Sequence, residues 1–223
     1  MGLDNRHKLK LAKRLAVLIS NGKFSDPNLP NLVGPQIDNQ RLNTILSDIN
    51  LGNFEVTSLV DQGLLAVRKA IAQACATADI NDTLLIYYSG TSFLSQDGGL
   101  CLSIEDTDGQ FPDATLIEAE YILAQLRNSR CHRIVLLVDG CHSGAFFEKN
   151  RGIPDGMFAI TSCSSSELSY DTPEGGAFTR TIIEGLIAGR ADKDGDGKVS
   201  VDDLYNFVQE YVSKTDYETH PQK

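Results

Sequence analysis

Cys141 stands in Asp139-Gly-Cys-His-Ser-Gly144, just past the apolar run Ile134–Val138. A thiol becomes a nucleophile when a base takes its proton. Gly140 and Gly144 let the backbone turn sharply and leave room around the sulfur. A cysteine here can equally be a small buried side chain at a strand end, and this segment alone leaves both readings open. A second candidate is Asp192-Lys-Asp-Gly-Asp-Gly-Lys-Val-Ser-Val-Asp-Asp203. It fits the calcium-loop template: oxygens from Asp192, Asp194 and Asp196, a turn at Gly197, the Lys198 carbonyl, Ser200 through water, and Asp203 closing the loop. Aspartate at the last position, where glutamate is usual, predicts weak binding of Ca2+. The other reading is a solvated acidic turn that caps the last helix through Asp202 or Asp203.

The elements around these residues follow from apolar periodicity. Five apolar residues at 134–138 read as a strand buried on both faces of a parallel sheet. Cys141 then lies at the carboxyl end of a central strand, where open α/β sheets keep their ligand crevices. Leu15–Ser20, Phe54–Val60, Thr83–Tyr88 and Met157–Thr161 read as further strands, and Leu100–Ile104 as one arm of a hairpin after Gly98-Gly99. Pro35 opens a helix with Ile37, Leu42, Ile45, Leu46 and Ile49 on one stripe. Leu64–Ala78, Ile117–Leu126, Phe178–Ala188 and Val201–Val212 read as helices. Strands alternating with helices mean an α/β fold: a mainly parallel sheet flanked by helices on both faces.

The 223 residues, 41% hydrophobic and 22% charged, suit one soluble domain. A net charge of -10 argues against nucleic acid as the main partner and suits a basic peptide or protein. Five cysteines without a C-x-x-C pair read as reduced thiols in a cytoplasmic setting. No apolar run approaches the roughly 20 residues of a membrane span, so no membrane partner is expected. Residues 1–14 read as a basic lead-in and 214–223 as a tail. The oligomeric state stays open.

Tyr88-Ser-Gly-Thr-Ser92 ends the other long apolar strand. With Asp139-Gly-Cys-His-Ser-Gly144 it resembles the caspase and metacaspase family of cysteine peptidases, including its bacterial, orthocaspase-like members. The resemblance extends through Ala16-Val-Leu-Ile19, Leu32-Val-Gly-Pro-Gln-Ile-Asp38, Ser169-Tyr-Asp171 and Ala177-Phe-Thr179. It implies a caspase-like domain over 15–213, with a large-subunit-like part at 15–150 and a small-subunit-like part at 151–213.

The resemblance also implies chemistry. Cys141 would attack a peptide carbonyl while a histidine activates it and later protonates the leaving amine. The family histidine lies about 50 residues upstream of the cysteine, and here that place is Thr91. The following glycine, whose amide helps hold the oxyanion in the family, is Ser92. Threonine has no group that titrates near neutral pH. A cysteine at its ordinary pKa of about 8.5 is only a few per cent thiolate at pH 7. In a related catalytic unit, losing the base costs about a million-fold. Adjacent side chains tend to point apart, which disfavours His142. His132, at the far end of the strand, is roughly 25 Å away, and His7 and His220 fall in the expected tails. The same distance argues against a zinc site from Cys131-His132 with Cys141-His142.

In the metacaspase branch an acid two residues before the cysteine helps form a pocket for Arg or Lys, a role that falls to Asp139 here. A second acid is expected from Glu167 or Asp171. Lys149 and Arg151 read as an exposed charged loop rather than a processing point. The expectation is a pseudoprotease that binds or regulates a partner. The alternative is an active cysteine endopeptidase cutting after Arg or Lys.

Overall fold

The computed structural model describes residues 11–149, 153–167, 171–172, 175–212 and 219–223. In chain order the elements of the first half are β1 (Arg14–Asn21), α1 (Gly34–Ser47), β2 (Glu55–Val60), α2 (Leu64–Thr77), β3 (Thr83–Gly90), β4 (Ser92–Leu94) and β5 (Leu100–Leu102). Then come α3 (Pro112–Thr115), β6 (Ile117–Glu118), α4 (Ala119–Arg127), β7 (Ile134–Asp139) and α5 (Ala145–Lys149). The chain continues with β8 (Met157–Thr161), β9 (Asp171–Thr172), β10 (Gly175–Gly176), α6 (Ala177–Ile187) and α7 (Val201–Val212).

The main sheet runs β2-β1-β3-β7-β8, and every neighbouring pair in it is parallel. The continuous apolar strands have two faces to bury, and both are covered. Leu84, Ile86, Tyr88, Leu136 and Val138 pack with Val67 and Ile71 of α2 and Ile122, Leu123 and Leu126 of α4. On the opposite face, Leu85, Tyr87 and Leu137 pack with Leu42, Ile45 and Leu46 of α1, Phe178 and Ile182 of α6, and Leu204 and Val208 of α7. The α/β fold expected from the sequence is therefore the one observed. Among the described residues, no helix is long and apolar enough to cross a membrane.

The chain steps from β1 out to β2, then returns to place β3 on the other side of β1. Crevices form at such a reversal, at the carboxyl ends of the strands. β3 and β7 are direct neighbours there, with Ser89 opposite Asp139, and Asn21 of β1 faces Gly90. The two strand ends carrying Thr91 and Cys141 thus lie side by side. The small antiparallel sheet β4-β5-β6 extends the β3 end.

Three details depart from the sequence reading. α1 stops at Ser47, so Ile49 falls outside the stripe and is 76% exposed. Asp38 and Asn39, nearer the start of the helix, join Leu42, Ile45 and Leu46 on its buried face. The segment beginning at Ile117 forms β6 before it turns helical. Of the expected tail, residues 219–223 are docked: Gln222 pairs in antiparallel fashion with Thr161 on the open edge of β8.

Candidate active site

The site is assembled by close backbone approach between strand tips. A Cβ on Gly140 would lie 2.6 Å from Ser92 Oγ and 2.9 Å from the Gly90 carbonyl, so only glycine lets β7 pass this close to β3. Cys141 is half-buried, whereas the other four cysteines are buried. His142 follows in the left-handed region at φ 57°. Its backbone N–H donates to the Glu167 carbonyl at 2.9 Å, and its Nδ1 meets the Ser165 carbonyl at 2.8 Å. A carbonyl can only accept, so Nδ1 carries the hydrogen and the ring is committed to the 164–167 turn.

At the β3 tip, the buried Tyr88 hydroxyl shares its one hydrogen between the Thr91 carbonyl at 2.6 Å and the Ser103 carbonyl at 2.8 Å. Ser103 Oγ also donates to the Thr91 carbonyl. Burial pushes the Tyr88 phenol above its ordinary range. Ser92 is buried, and its Oγ donates to the Cys141 carbonyl. The hydroxyl at the family's glycine position therefore ties the two strand tips together. Among the described residues, no imidazole nitrogen hydrogen-bonds the Cys141 sulfur: His142 holds Ser165, and His220 holds Glu167. His7 and Arg151 lie outside the described residues, and Lys149 ends α5.

Beside the tips lies an acid pair. Asp139 is 4% exposed, and its Oδ2 accepts from the Thr179 hydroxyl at 2.7 Å and the Thr179 N–H at 3.2 Å. Tyr87 meets the same Thr179 hydroxyl at 2.9 Å. Asp38 of α1 is fully buried and accepts the Gly176 N–H at 2.9 Å. Both carboxylates crowd Gly176, where a Cβ would lie 2.5 Å from Asp139 Oδ2 and 3.1 Å from Asp38 Oδ2. Burial, then the charges of Asp38 and Asp139, push the Tyr87 phenol well above its ordinary range. Two carboxylates gathered at one corner would, when ionised, favour a cation beside them. Gly176→Ala is expected to cost about 1–3 kcal/mol through this clash, measured by denaturant unfolding.

The acid that joins Asp139 is Asp38, which the sequence reading passed over. A signal was present: Asp38 sits one helical turn before Leu42 on the stripe that buries Leu42, Ile45 and Leu46. An acid on a buried stripe calls for a reason. The backbone of Asp171 pairs with Gly176 in the β9-β10 hairpin, which brings that stretch to the same corner; its side chain is outside the described residues.

The structure does not bring the Glu167 carboxylate to Asp139. Glu167 accepts the Ser164 N–H and the His220 N–H, each at 2.9 Å, and pairs with His220 Nδ1 at 2.5 Å. Burial pushes its pKa up, but these donors together outweigh burial and pull it down to about 2 from an ordinary 4.5. Because the folded value is depressed, this contribution to stability is full above pH 4.5 and is lost as pH falls toward about 2. Hydrogen exchange at the Thr161 and His220 amides should accelerate over that acid window, beyond the intrinsic pH dependence of exchange.

In the acidic loop, Asp192, Asp194 and Asp196 bring carboxylate oxygens within 4.8 Å of one another. Asp192 is braced by the N–H groups of Gly195 at 2.8 Å and Gly197 at 2.9 Å. The Lys198 N–H donates to Asp196 at 2.8 Å. Ser200 and Asp203 instead pair with each other: Asp203 N–H donates to Ser200 Oγ at 3.1 Å, and Ser200 N–H donates to Asp203 Oδ2 at 3.0 Å. That reciprocal pair is a capping box at the start of α7, so Asp203 serves the cap in this conformation.

A half-buried thiol at the tip of a central parallel strand, next to a second tip and a buried acid pair, defines an α/β domain with its candidate site at the carboxyl ends of the strands. The chain belongs to the caspase domain family, whose pattern matches residues 13–223. Protein GSU0716 from Geobacter sulfurreducens superimposes with a TM-score of 0.70 at 17% identity, covering 94% of this chain and 92% of that one. Caspase-1 from Spodoptera frugiperda superimposes with a TM-score of 0.67 at 16% identity, covering 94% of this chain and 82% of that one. None of the curated proteins compared matches in sequence.

Proposed function

We propose that this caspase-family domain is a pseudoprotease: it holds a basic side chain of a protein or peptide against Asp38 and Asp139 and does not cut it. The observation that carries this reading is Thr91. It follows the last residue of β3, whose tip lies beside the β7 tip that leads to Cys141, and a threonine hydroxyl cannot take a proton near neutral pH. The acid pair supports the choice of a basic ligand, since an Arg or Lys head group gains charge-assisted hydrogen bonds from buried carboxylates. A cytoplasmic setting suits five free thiols.

Calorimetry with Arg-, Lys- and Gln-containing peptides tests this reading, with product release followed by mass spectrometry. Basic peptides should bind at least roughly tenfold more tightly than the Gln peptide, with no turnover. Cleavage at ordinary protease rates would instead establish an endopeptidase acting after Arg or Lys.

The loop at 192–203 is proposed as a weak Ca2+ site, resting on its three gathered carboxylates. A calcium titration should give a Kd on the order of 10⁻⁴–10⁻³ M, lost in Asp194→Asn. No heat and no shift in melting temperature at millimolar calcium would reduce the loop to a helix cap.

A further inference from the structure

We propose that Glu167 is a positioning residue for Cys141, and that the segment His220–Lys223 acts as the strap that sets Glu167. Three links make the connection. His142 is the neighbour of Cys141 and sits in the left-handed region at φ 57°, a conformation that disfavours a side chain and persists where surroundings impose it. What imposes it is the 164–167 turn, which takes the His142 N–H at the Glu167 carbonyl, 2.9 Å, and the ring at the Ser165 carbonyl, 2.8 Å.

That turn is closed on itself in both directions. Glu167 N–H donates to the Ser164 carbonyl at 3.3 Å, and Ser164 N–H donates to Glu167 Oε2 at 2.9 Å. The carboxylate that closes it has two further donors, the His220 N–H and ring Nδ1, both from the strap. The strap is anchored beyond the site. Thr161 and Gln222 exchange backbone hydrogen bonds at 2.9 and 3.1 Å, and Lys223 Nζ pairs with Asp202 and lies 5.3 Å from the Tyr205 ring centroid.

Removing the strap strips the carboxylate of two of these three donors and lets the turn that imposes the His142 conformation relax. Its state is therefore read at the sulfur. An extended chain that takes the β8 edge in place of Gln222 would alter Cys141 without entering the cleft. The inference rests on the reading of Cys141 and its cleft as the working site, not on what occupies the acid pair.

Alkylation of the full chain by iodoacetamide, followed by mass spectrometry of the Cys141 peptide, tests it. Cys75, Cys101, Cys131 and Cys163 are buried, and burial pushes their thiols up, Cys75 to about 12, so their labelling reports global unfolding in the same sample. Glu167→Ala and His220→Ala should each raise the Cys141 rate about fivefold or more with the buried thiols still protected. The double variant should match Glu167→Ala alone, because both act through one carboxylate. Glu167→Gln, which keeps an acceptor for Ser164, should recover part of the wild-type rate. Rates within twofold of wild type in both single variants, or additive effects, would overturn the proposal even if the melting temperature falls. If Glu167→Ala unfolds, the exposed His220→Ala decides alone. Peptide binding is measured separately: an alkylation change without any preference for basic peptides counts against the acid pocket alone, and unchanged alkylation with that preference intact counts against the Glu167 strap alone.

Discussion

Thr91→His combined with Ser92→Gly is expected to convert the domain into a peptidase that cuts after Arg or Lys. The β3 and β7 tips are already in register, with Ser89 opposite Asp139, so an imidazole at 91 starts beside the sulfur of Cys141. A positioned general base contributes about 10²–10⁴ in rate, and an oxyanion donor about 10²–10³. The double variant should therefore exceed wild-type kcat/KM by at least roughly 10⁴. Neither single change should suffice, since residues that act as a unit are strongly non-additive. Ser92 gives a structural reason for the same expectation: its buried hydroxyl is bound to the Cys141 carbonyl, a tie between the two tips that glycine removes. The measurement is release of product from Arg and Lys peptides, with Cys141→Ala in the double background as the blank. No gain in a folded double variant would show that more than the base is missing.

The second large effect is expected at the acid pair. Asp38→Asn and Asp139→Asn should each weaken binding of an Arg-containing peptide by about 10–100-fold, the scale of a lost charge-assisted hydrogen bond. Asparagine keeps the shape and retains an acceptor for the Gly176 and Thr179 donors, so the loss isolates charge from packing. Affinity for the Gln peptide should stay within about twofold. The two substitutions should be less than additive, since both carboxylates crowd Gly176 and would share one basic head group. Calorimetry at fixed ionic strength measures all three comparisons, and equal losses for Arg and Gln peptides would place the basic side chain elsewhere.

The linear chain makes some of this plain and conceals the rest. The buried strands are legible because each is a continuous apolar run, and such runs alternating with amphipathic helices leave few arrangements other than a parallel sheet covered on both faces. Thr91 and Cys141 are legible because each sits where such a run stops. The acid pair is not legible in the same way. Asp38 lies in α1 and Asp139 at the end of β7, and only the packing of α1 and α6 on the same face brings both to Gly176. Glu167 looks like a pocket acid by its place near Ser169-Tyr170, yet its carboxylate goes to His220, from a segment that looks like a tail. The loop acids at 192–196 are close because they are neighbours in sequence. Asp203 turns to Ser200 because a helix start offers N–H groups in need of an acceptor.

The amino-acid sequence by itself determined the layers of the fold and set Cys141 and Thr91 at the ends of its apolar strands, because those depend on local residue types and on apolar periodicity. Tertiary structure alone decided which carboxylates meet and which turn holds His142 and the sulfur's loop, because those contacts join residues far apart in the chain. Burial forces such groups to find partners wherever the packed elements place them.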